Sequence, residues 1–336
     1  MSTCSGCGAT HYCSRACQLK HWSEHKIPCK SSPIYKANEE LAALKKKLAE
    51  QEQALGVDHK ETLITAGEVA VLLKPQGKLK EAEVYLRRAL EGAERTLGRD
   101  HELTLNSTNN MGQLLKAQGK LSLAEPFMRS ALEGCERVRG PDHHTTLSGV
   151  GNLGSLLQEQ GNLKGAERLY RKALDGCERT LGPDHQQTLA LVSNMGQLLN
   201  TRGKLDLAEP FLRRALSGFE RCLGLDNPFT LTAVSNLGML LKAQGKLDQA
   251  EPFIRRDLEG CERVLGRDHP DTLLSVGNMG GLLMKRGKFK EAEPFFRRSL
   301  EGWERTNGHE HPQTRNALGN LNSLLRAMEK ARVGFG

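Results

Sequence analysis

Residues 4 to 29 read CSGCGATHYCSRACQLKHWSEHKIPC and hold five cysteines and three histidines, while the rest of the 336-residue chain has four more cysteines. Six of these donors are spaced Cys4-x2-Cys7-x5-Cys13-x3-Cys17-x7-His25-x3-Cys29. Thiolates and imidazoles offered in closely spaced pairs are the ligands of tetrahedral Zn2+, and a segment too short for an apolar core takes its fold from such an ion. Four ligands around one zinc leave no open coordination position, so the expected role of the ion is structural rather than catalytic. Clustered cysteines in a disulfide framework belong to oxidising compartments. Here the N-terminus carries Cys, Gly and His where a secretory signal needs an apolar stretch, and no run of eighteen apolar residues occurs. The expectation is a soluble cytoplasmic protein, with the nucleus also compatible, reduced cysteines and no membrane association.

The elements behind this stretch are periodic. Gly56, Gly98, Gly140, Gly182, Gly224, Gly266 and Gly308 recur every 42 residues without drift or insertion. A fixed period in this range means stacked supersecondary units, each unable to bury its apolar face alone. In one unit, Asp226 to Gly266, apolar positions at Leu231, Val234, Gly238 and Leu241 follow a helical period behind Pro228, which suits a first turn. Gln244-Gly245-Lys246 ends that helix. A second helix follows through Ala250, Phe253, Ile254, Leu258, Cys261 and Leu265, and stops at Gly266. Each unit is therefore an antiparallel helix pair.

The pattern continues past the complete units. Lys36 to Leu55 aligns with a second helix, setting Leu44, Leu48 and Leu55 against Leu86, Leu90 and Leu97, and Pro312 to Met328 reads as a lone first helix. Six full pairs between two half units make fourteen helices. The expected organisation is a finger over 1–30, a linker and capping helix over 31–56, an array over 57–328 and a tail over 329–336.

The phrase DHPDTLLSVGNMGGLLMKRGKFKEAEPFFRRSLEGWER (268–305) closely resembles the 42-residue tetratricopeptide repeats (TPRs) of kinesin light chains, and the resemblance covers 57 to about 328. It implies an all-α fold, a right-handed superhelical solenoid that acts as a peptide-binding scaffold.

On a helical wheel of ~100° per residue, Asn236 falls opposite the apolar positions of its helix. Equivalent positions hold Asn110, Asn152, Asn194, Asn278 and Asn320, with Glu68 in the first unit. A primary amide both donates and accepts, so a row of them can pair with a peptide main chain of any sequence. In the resembling family the matching asparagines do this on the concave face. The other use of the row is to set stacking between neighbouring helices. Flanking positions (Asn106, Ser148, Ala190, Thr232 and Leu274 one turn before; Gln113, Ser155, Gln197, Met239 and Gly281 one turn after) vary and carry no charge. This argues against a groove that clamps carboxylates.

The net charge is +8, from 48 Lys and Arg against 40 Asp and Glu. Much of the basic character reads as i,i+4 Glu-to-Arg pairs on second helices, from Glu83/Arg87 to Glu293/Arg297, with Glu91/Arg95, Glu133/Arg137 and Glu259/Arg263 following the same rule. Stacking aromatics are not interleaved with these residues, which argues against a nucleic-acid surface. His101, His143, His185, His269 and His311 recur with the repeat and read as loop and cap residues, not converging ligands. Cys135, Cys177 and Cys261 share a position with Ala93, Phe219 and Trp303 and read as core. Gly92, Gly134, Gly176, Gly218, Gly260 and Gly302 sit inside second helices, for close approach or for flexing.

The segment YCSRACQLKHWSEHKIPC (12–29) resembles the second half of a MYND zinc finger. That family binds two zincs in a crossed pattern. The resemblance implies one complete site at Cys4, Cys7, His25 and Cys29, with Cys13 and Cys17 belonging to a second whose partners would lie upstream of Met1. A single-zinc finger and a finger truncated at its N-terminus both fit. The resemblance also implies proline-rich peptides as finger ligands, with Trp22 read as finger core.

Taken together, these features point to a non-catalytic adaptor that binds Zn2+ and holds extended peptide segments of partner proteins in the groove. No phosphate-binding glycine loop occurs: QGK recurs as a helix-helix turn without P-loop spacing. The alternative is a zinc-dependent nucleic-acid-associated or transcription co-regulator protein, resting on Arg15, Lys20, Lys26, Lys30, Lys36 and Lys45 to Lys47. Nothing in the sequence sets an oligomeric state.

Overall fold

The computed structural model describes residues 2–3, 11–12 and 33–333, with side chains from 37 to 331. The described residues are helical except for the loops and a strand pair, β1 (Ser2–Thr3) and β2 (His11–Tyr12), which is antiparallel. The helices are α1 (Pro33–Leu55), α2 (Lys60–Leu73), α3 (Leu79–Leu97), α4 (Glu102–Ala117), α5 (Leu121–Arg139), α6 (His144–Glu159), α7 (Leu163–Thr180), α8 (Gln186–Thr201), α9 (Leu205–Leu223), α10 (Pro228–Ala243), α11 (Leu247–Leu265), α12 (Pro270–Lys285), α13 (Phe289–Asn307) and α14 (Pro312–Val333). They are the fourteen that the period predicts. No helix among the described residues is long and apolar enough to cross a membrane.

The chain divides into two compact units, residues 36–198 and residues 199–336, the latter grouped with 1–35. Within each, a first helix packs on the second helix of its own pair: α2 on α3, α4 on α5 and α6 on α7 in one unit, α10 on α11 and α12 on α13 in the other. Successive pairs also pack within a unit, as α5 on α6 and α11 on α12 do. The first unit's core joins Leu41 and Leu48 of α1 to Val69, Leu73, Leu86, Met111 and Leu114, so the capping helix closes the apolar end of the stack.

Six of the seven turns that close a repeat share one latch, and at the seventh, after Gly140, Thr146 Oγ1 has no partner. Gly98 stands at φ 85°, a conformation open to glycine, and its carbonyl accepts from Thr104 Oγ1 at 2.7 Å. Thr62, Thr188, Thr230, Thr272 and Thr314 make the same bond to Gly56, Gly182, Gly224, Gly266 and Gly308. The sequence reading missed this latch, although its spacing, Gly to Thr six residues on, is as regular as the glycine itself.

The six expected Glu-to-Arg pairs are present, from Glu83/Arg87 to Glu293/Arg297. The other three are not. Arg95, Arg137 and Arg263 reach back to Asp58, Asp100 and Asp226 in the preceding loop, and Arg179 and Arg305 do the same with Asp142 and Asp268. An arginine in the last turn of a second helix lies beside the loop that opens its own repeat, and that aspartate is nearer than a glutamate one turn back. Glu209 instead joins two repeats, accepting from Lys246 Nζ of the next one at 2.8 Å. Hydrogen bonds from Lys246 and Arg213 hold its carboxyl at about 2.

Candidate functional site

The groove side of each repeat is built by its first helix. Helices α4, α6, α10 and α12 bury Thr, Leu, Met and Gly positions against their second helices, which leaves the opposite face available. Asn110, Asn152, Asn194, Asn236 and Asn278 stand half-buried on that face, and Asn320 of the terminal helix is exposed. Asn152 Nδ2 makes a long contact of 3.5 Å with Asn109 Oδ1 of the previous repeat.

Three pockets open on this face, each within one unit. The first, of about 730 Å³, lies among α1, α2 and α4 and brings Glu68, Asn106 and Asn110 together with Leu44, Ile64 and Val71. A second, of about 240 Å³, gathers Gln113, Asn152 and Ser155 with Lys74 and Lys116. The third belongs to the unit from 199 on: about 420 Å³ lined by Asn278, Asn320, Met239, Leu274 and Lys242, with Trp303 in its floor. Asn110, Asn152, Asn278 and Asn320 thus line pockets together with flanking positions named from the sequence, such as Asn106, Ser155, Met239 and Leu274, whereas Asn194 and Asn236 line none of the three.

The expectation of an uncharged groove needs correcting. Lys74, Lys116 and Lys242 share one repeat position, a turn beyond the flanking residues considered in the sequence, and the helix brings them back to the same face. Lys116 is satisfied by Ser155 Oγ at 2.7 Å and Glu159 at 2.9 Å. Lys74 has only the Gln113 carbonyl at 3.3 Å, and Lys242 has no carboxylate partner among the described residues. Burial lowers the pKa of both, and a neighbouring cation adds to it: Lys116 beside Lys74, Lys285 beside Lys242. Lys74 is exposed as a residue, yet enough protein crowds its ammonium to produce that shift. Gly281 makes room for the second lysine, because a Cβ there would stand 3.1 Å from Lys242 Nζ.

The other recurring residues take the places expected of them. Cys135, Cys177 and Cys261 are buried free thiols, and burial pushes Cys177 up to about 11 and Cys261 up to about 12, far from the thiolate that a ligand or nucleophile requires. The recurring histidines are helix N-caps. The finger ligands Cys4, Cys7, Cys13, Cys17, His25 and Cys29 lie outside the described residues, among which no group of three His, Cys, Asp or Glu is placed to hold a metal.

Comparison with known families assigns both parts of the chain. A tetratricopeptide-repeat pattern matches residues 61–137, 118–176, 142–221 and 272–332, and a second pattern of the same description matches 230–271. The chain belongs to the tetratricopeptide-repeat family. A MYND finger pattern matches residues 1–29, ahead of the tetratricopeptide repeats. Among solved structures, BtubC (BKLC) from P. vanneervenii is similar at 21% identity over 70% of this chain and 94% of its own, with a TM-score of 0.56. The apo form of the quorum sensor NprR from B. thuringiensis is similar at 15% identity over 91% and 93%, with a TM-score of 0.57. A putative kinesin light chain from Podosopora anserina with nearly identical TPR-like repeats is 18% identical over 60% of this chain and 95% of its own, with a TM-score of 0.49. For the first two, at these identities, the likeness is one of fold. A search of curated proteins finds no match.

Proposed function

We propose that this protein is a cytoplasmic, non-catalytic adaptor whose tetratricopeptide repeats hold an extended peptide segment of a partner protein. The observation that carries this reading is the convergence of amides and unpaired ammonium groups on the first helices. Asn152 and Asn278 share their pockets with Lys74 and Lys242 respectively. Amides meet a peptide main chain, and a half-desolvated lysine without a counter-ion favours a carboxylate side chain at a fixed register. Met239, Met284 and Leu274 beside Lys242 supply apolar surface for a neighbouring side chain. The ion pairs described above occupy many of the basic residues of the second helices, which favours this reading over a nucleic-acid surface.

Binding of labelled extended peptides tests it. Changing Asn152, Asn194 and Asn236 together to Ala is expected to weaken binding about 10- to 100-fold, at about 1 kcal/mol or less per amide. Lys242→Met is expected to weaken only acidic peptides. Unchanged affinity in the triple variant would leave the row as a stacking device.

The finger adds a second module on the same chain, which raises the effective concentration of the second binding event once the first has occurred. The donor set fits Zn2+: five thiolates and a histidine in closely spaced pairs, with Cys4, Cys7, His25 and Cys29 proposed as one full shell and Cys13 and Cys17 as part of another. Elemental analysis of the purified chain is expected to give about one zinc per chain for that single shell and about two if a nearby histidine completes the second. Metal-free protein that still binds finger ligands would remove the ion from this account.

A further inference from the structure

Each first helix of the array begins on the side chain of its N-cap residue, and in six of seven that residue is histidine. The backbone N–H groups of Glu61, Leu103, Thr145, Gln187, Asp271 and Gln313 donate to Nδ1 of His59, His101, His143, His185, His269 and His311 at 3.1 to 3.3 Å. The seventh cap is Asn227, whose Oδ1 accepts from Phe229 at 2.9 Å. The second helices differ. Helices α3, α5, α9, α11 and α13 start at Lys78, Lys120, Lys204, Lys246 and Lys288 with no side-chain cap, and only α7 has one, from Asn162. Titratable caps are thus confined to the layer that lines the groove.

An imidazole nitrogen that accepts a hydrogen bond must be unprotonated. In imidazolium both nitrogens carry protons, so protonation turns the Nδ1 acceptor into a donor facing a donor. It also places positive charge at the positive end of the helix dipole. Each protonation therefore removes one cap and adds a repulsion.

The groups around these rings are mixed in sign. His143 meets the His144 ring at 4.4 Å between centroids and has Thr145 Oγ1 2.8 Å from its Nδ1, a hydroxyl that accepts from Arg139, with Glu102 nearby. His269 has Asp271 Oδ2 at 3.7 Å and Asp268, which Arg305 engages. Beside His59 and His101, Asp58 and Asp100 are held by Arg95 and Arg137, and Glu102 is held by Arg139. His311 stacks on Trp303 with the Asn307 amide at 3.2 Å, while Glu310 pairs with Arg315. Asp184 precedes His185. Burial lowers the pKa of His143 and His269, and His144 and Arg139 add to it at the former, whereas Asp271 opposes it at the latter. A lowered folded pKa means that the capping contribution is complete above the ordinary value of about 6.5 and is lost as pH falls through the folded one.

We propose that the six histidine caps form a distributed pH-sensitive device that frays the groove-lining helices as the solution is acidified and leaves the second helices in place. Weaker peptide binding in acid would follow, a consequence that rests on the groove reading above, whereas the device itself does not.

Site-resolved amide hydrogen exchange on the full chain, corrected for intrinsic rates, tests it at about pH 7.5 and about pH 5.5, on either side of the ordinary histidine pKa. Protection at the six amides capped by histidine is expected to fall about tenfold relative to Phe229, whose Asn227 cap does not titrate. Parallel behaviour at Phe229 and the six would overturn the proposal. A second arm replaces all six histidines with Asn, the residue already present at 227. The wild-type melting temperature is expected to drop on the order of 5 °C more than that of the variant over the same acidification. Equal drops would also overturn it, and should the sixfold variant fail to fold, the wild-type exchange comparison decides alone.

Discussion

Gly134→Ala is expected to destabilise the array by about 1–3 kcal/mol, although alanine is the better helix former by about 1 kcal/mol. Gly134 is buried inside α5, and a Cβ there would stand 2.3 Å from Leu105 Cδ2 and 3.4 Å from its Cγ. Leu105 is itself in the core at 4% exposure, so it has little room to withdraw. The same geometry recurs at Gly92 against Leu63, Gly176 against Leu147, Gly260 against Leu231 and Gly302 against Leu273, at 2.2 to 2.5 Å. Close approach of the two helices in these five pairs therefore explains their glycines, and flexing is not needed there. Urea denaturation at constant m-value measures the effect. Leu105→Ala alone should cost about 2–5 kcal/mol as a cavity. In the double variant the new methyl group occupies part of that cavity, so the two losses should add to less than their sum by on the order of 1 kcal/mol. A neutral or stabilising Gly134→Ala would sink the close-approach account.

These glycines also show what the sequence could and could not disclose. Their recurrence every 42 residues was plain, but a period reports that a position matters without reporting which neighbour makes it matter. The helix count, the pairing of helices and the buried cysteines were legible because each follows from local periodicity. The partners of Arg95, Arg137 and Arg263 were not, because i,i+4 spacing is visible in one helix whereas Asp58, Asp100 and Asp226 become neighbours only when the two helices of a pair fold back on each other. The groove lysines were missed for a related reason. Lys74 and Lys116 share a pocket with Asn152, but reading only one turn to either side of each asparagine left them out. The histidines were recognised as cap residues, but their acceptor role depends on a ring orientation that spacing does not encode.

Asp257→Ala is expected to stabilise the protein at neutral pH by about 1–3 kcal/mol, the scale of leaving a buried charge without a cationic partner. At this position the other second helices carry Ala89, Ala131, Ala173, Ala215 and Ser299. Asp257 is 3% exposed; its Oδ2 accepts from Ser235 Oγ at 3.0 Å, and its Oδ1 lies 3.6 Å from Cys261 Sγ. Burial raises its pKa and the charge of Asp271 adds to that, while hydrogen bonds from Ser275, Ser235 and Cys261 oppose it. A carboxyl whose folded pKa lies above its unfolded value near 3.8 imposes no ionisation penalty below that value. The penalty grows as pH rises through the folded pKa and is then constant. The advantage of Asp257→Ala should accordingly shrink as pH falls toward about 4, the ordinary aspartate range. Asp257→Asn, which keeps the shape and loses the charge, should flatten the same part of the stability profile. This slope is opposite in sign to that of the histidine caps, whose contribution disappears in acid. A chain with Asp257→Asn should therefore expose the cap-dependent loss of stability more cleanly than the wild type. If the asparagine variant keeps the wild-type slope, the buried carboxylate is not its source.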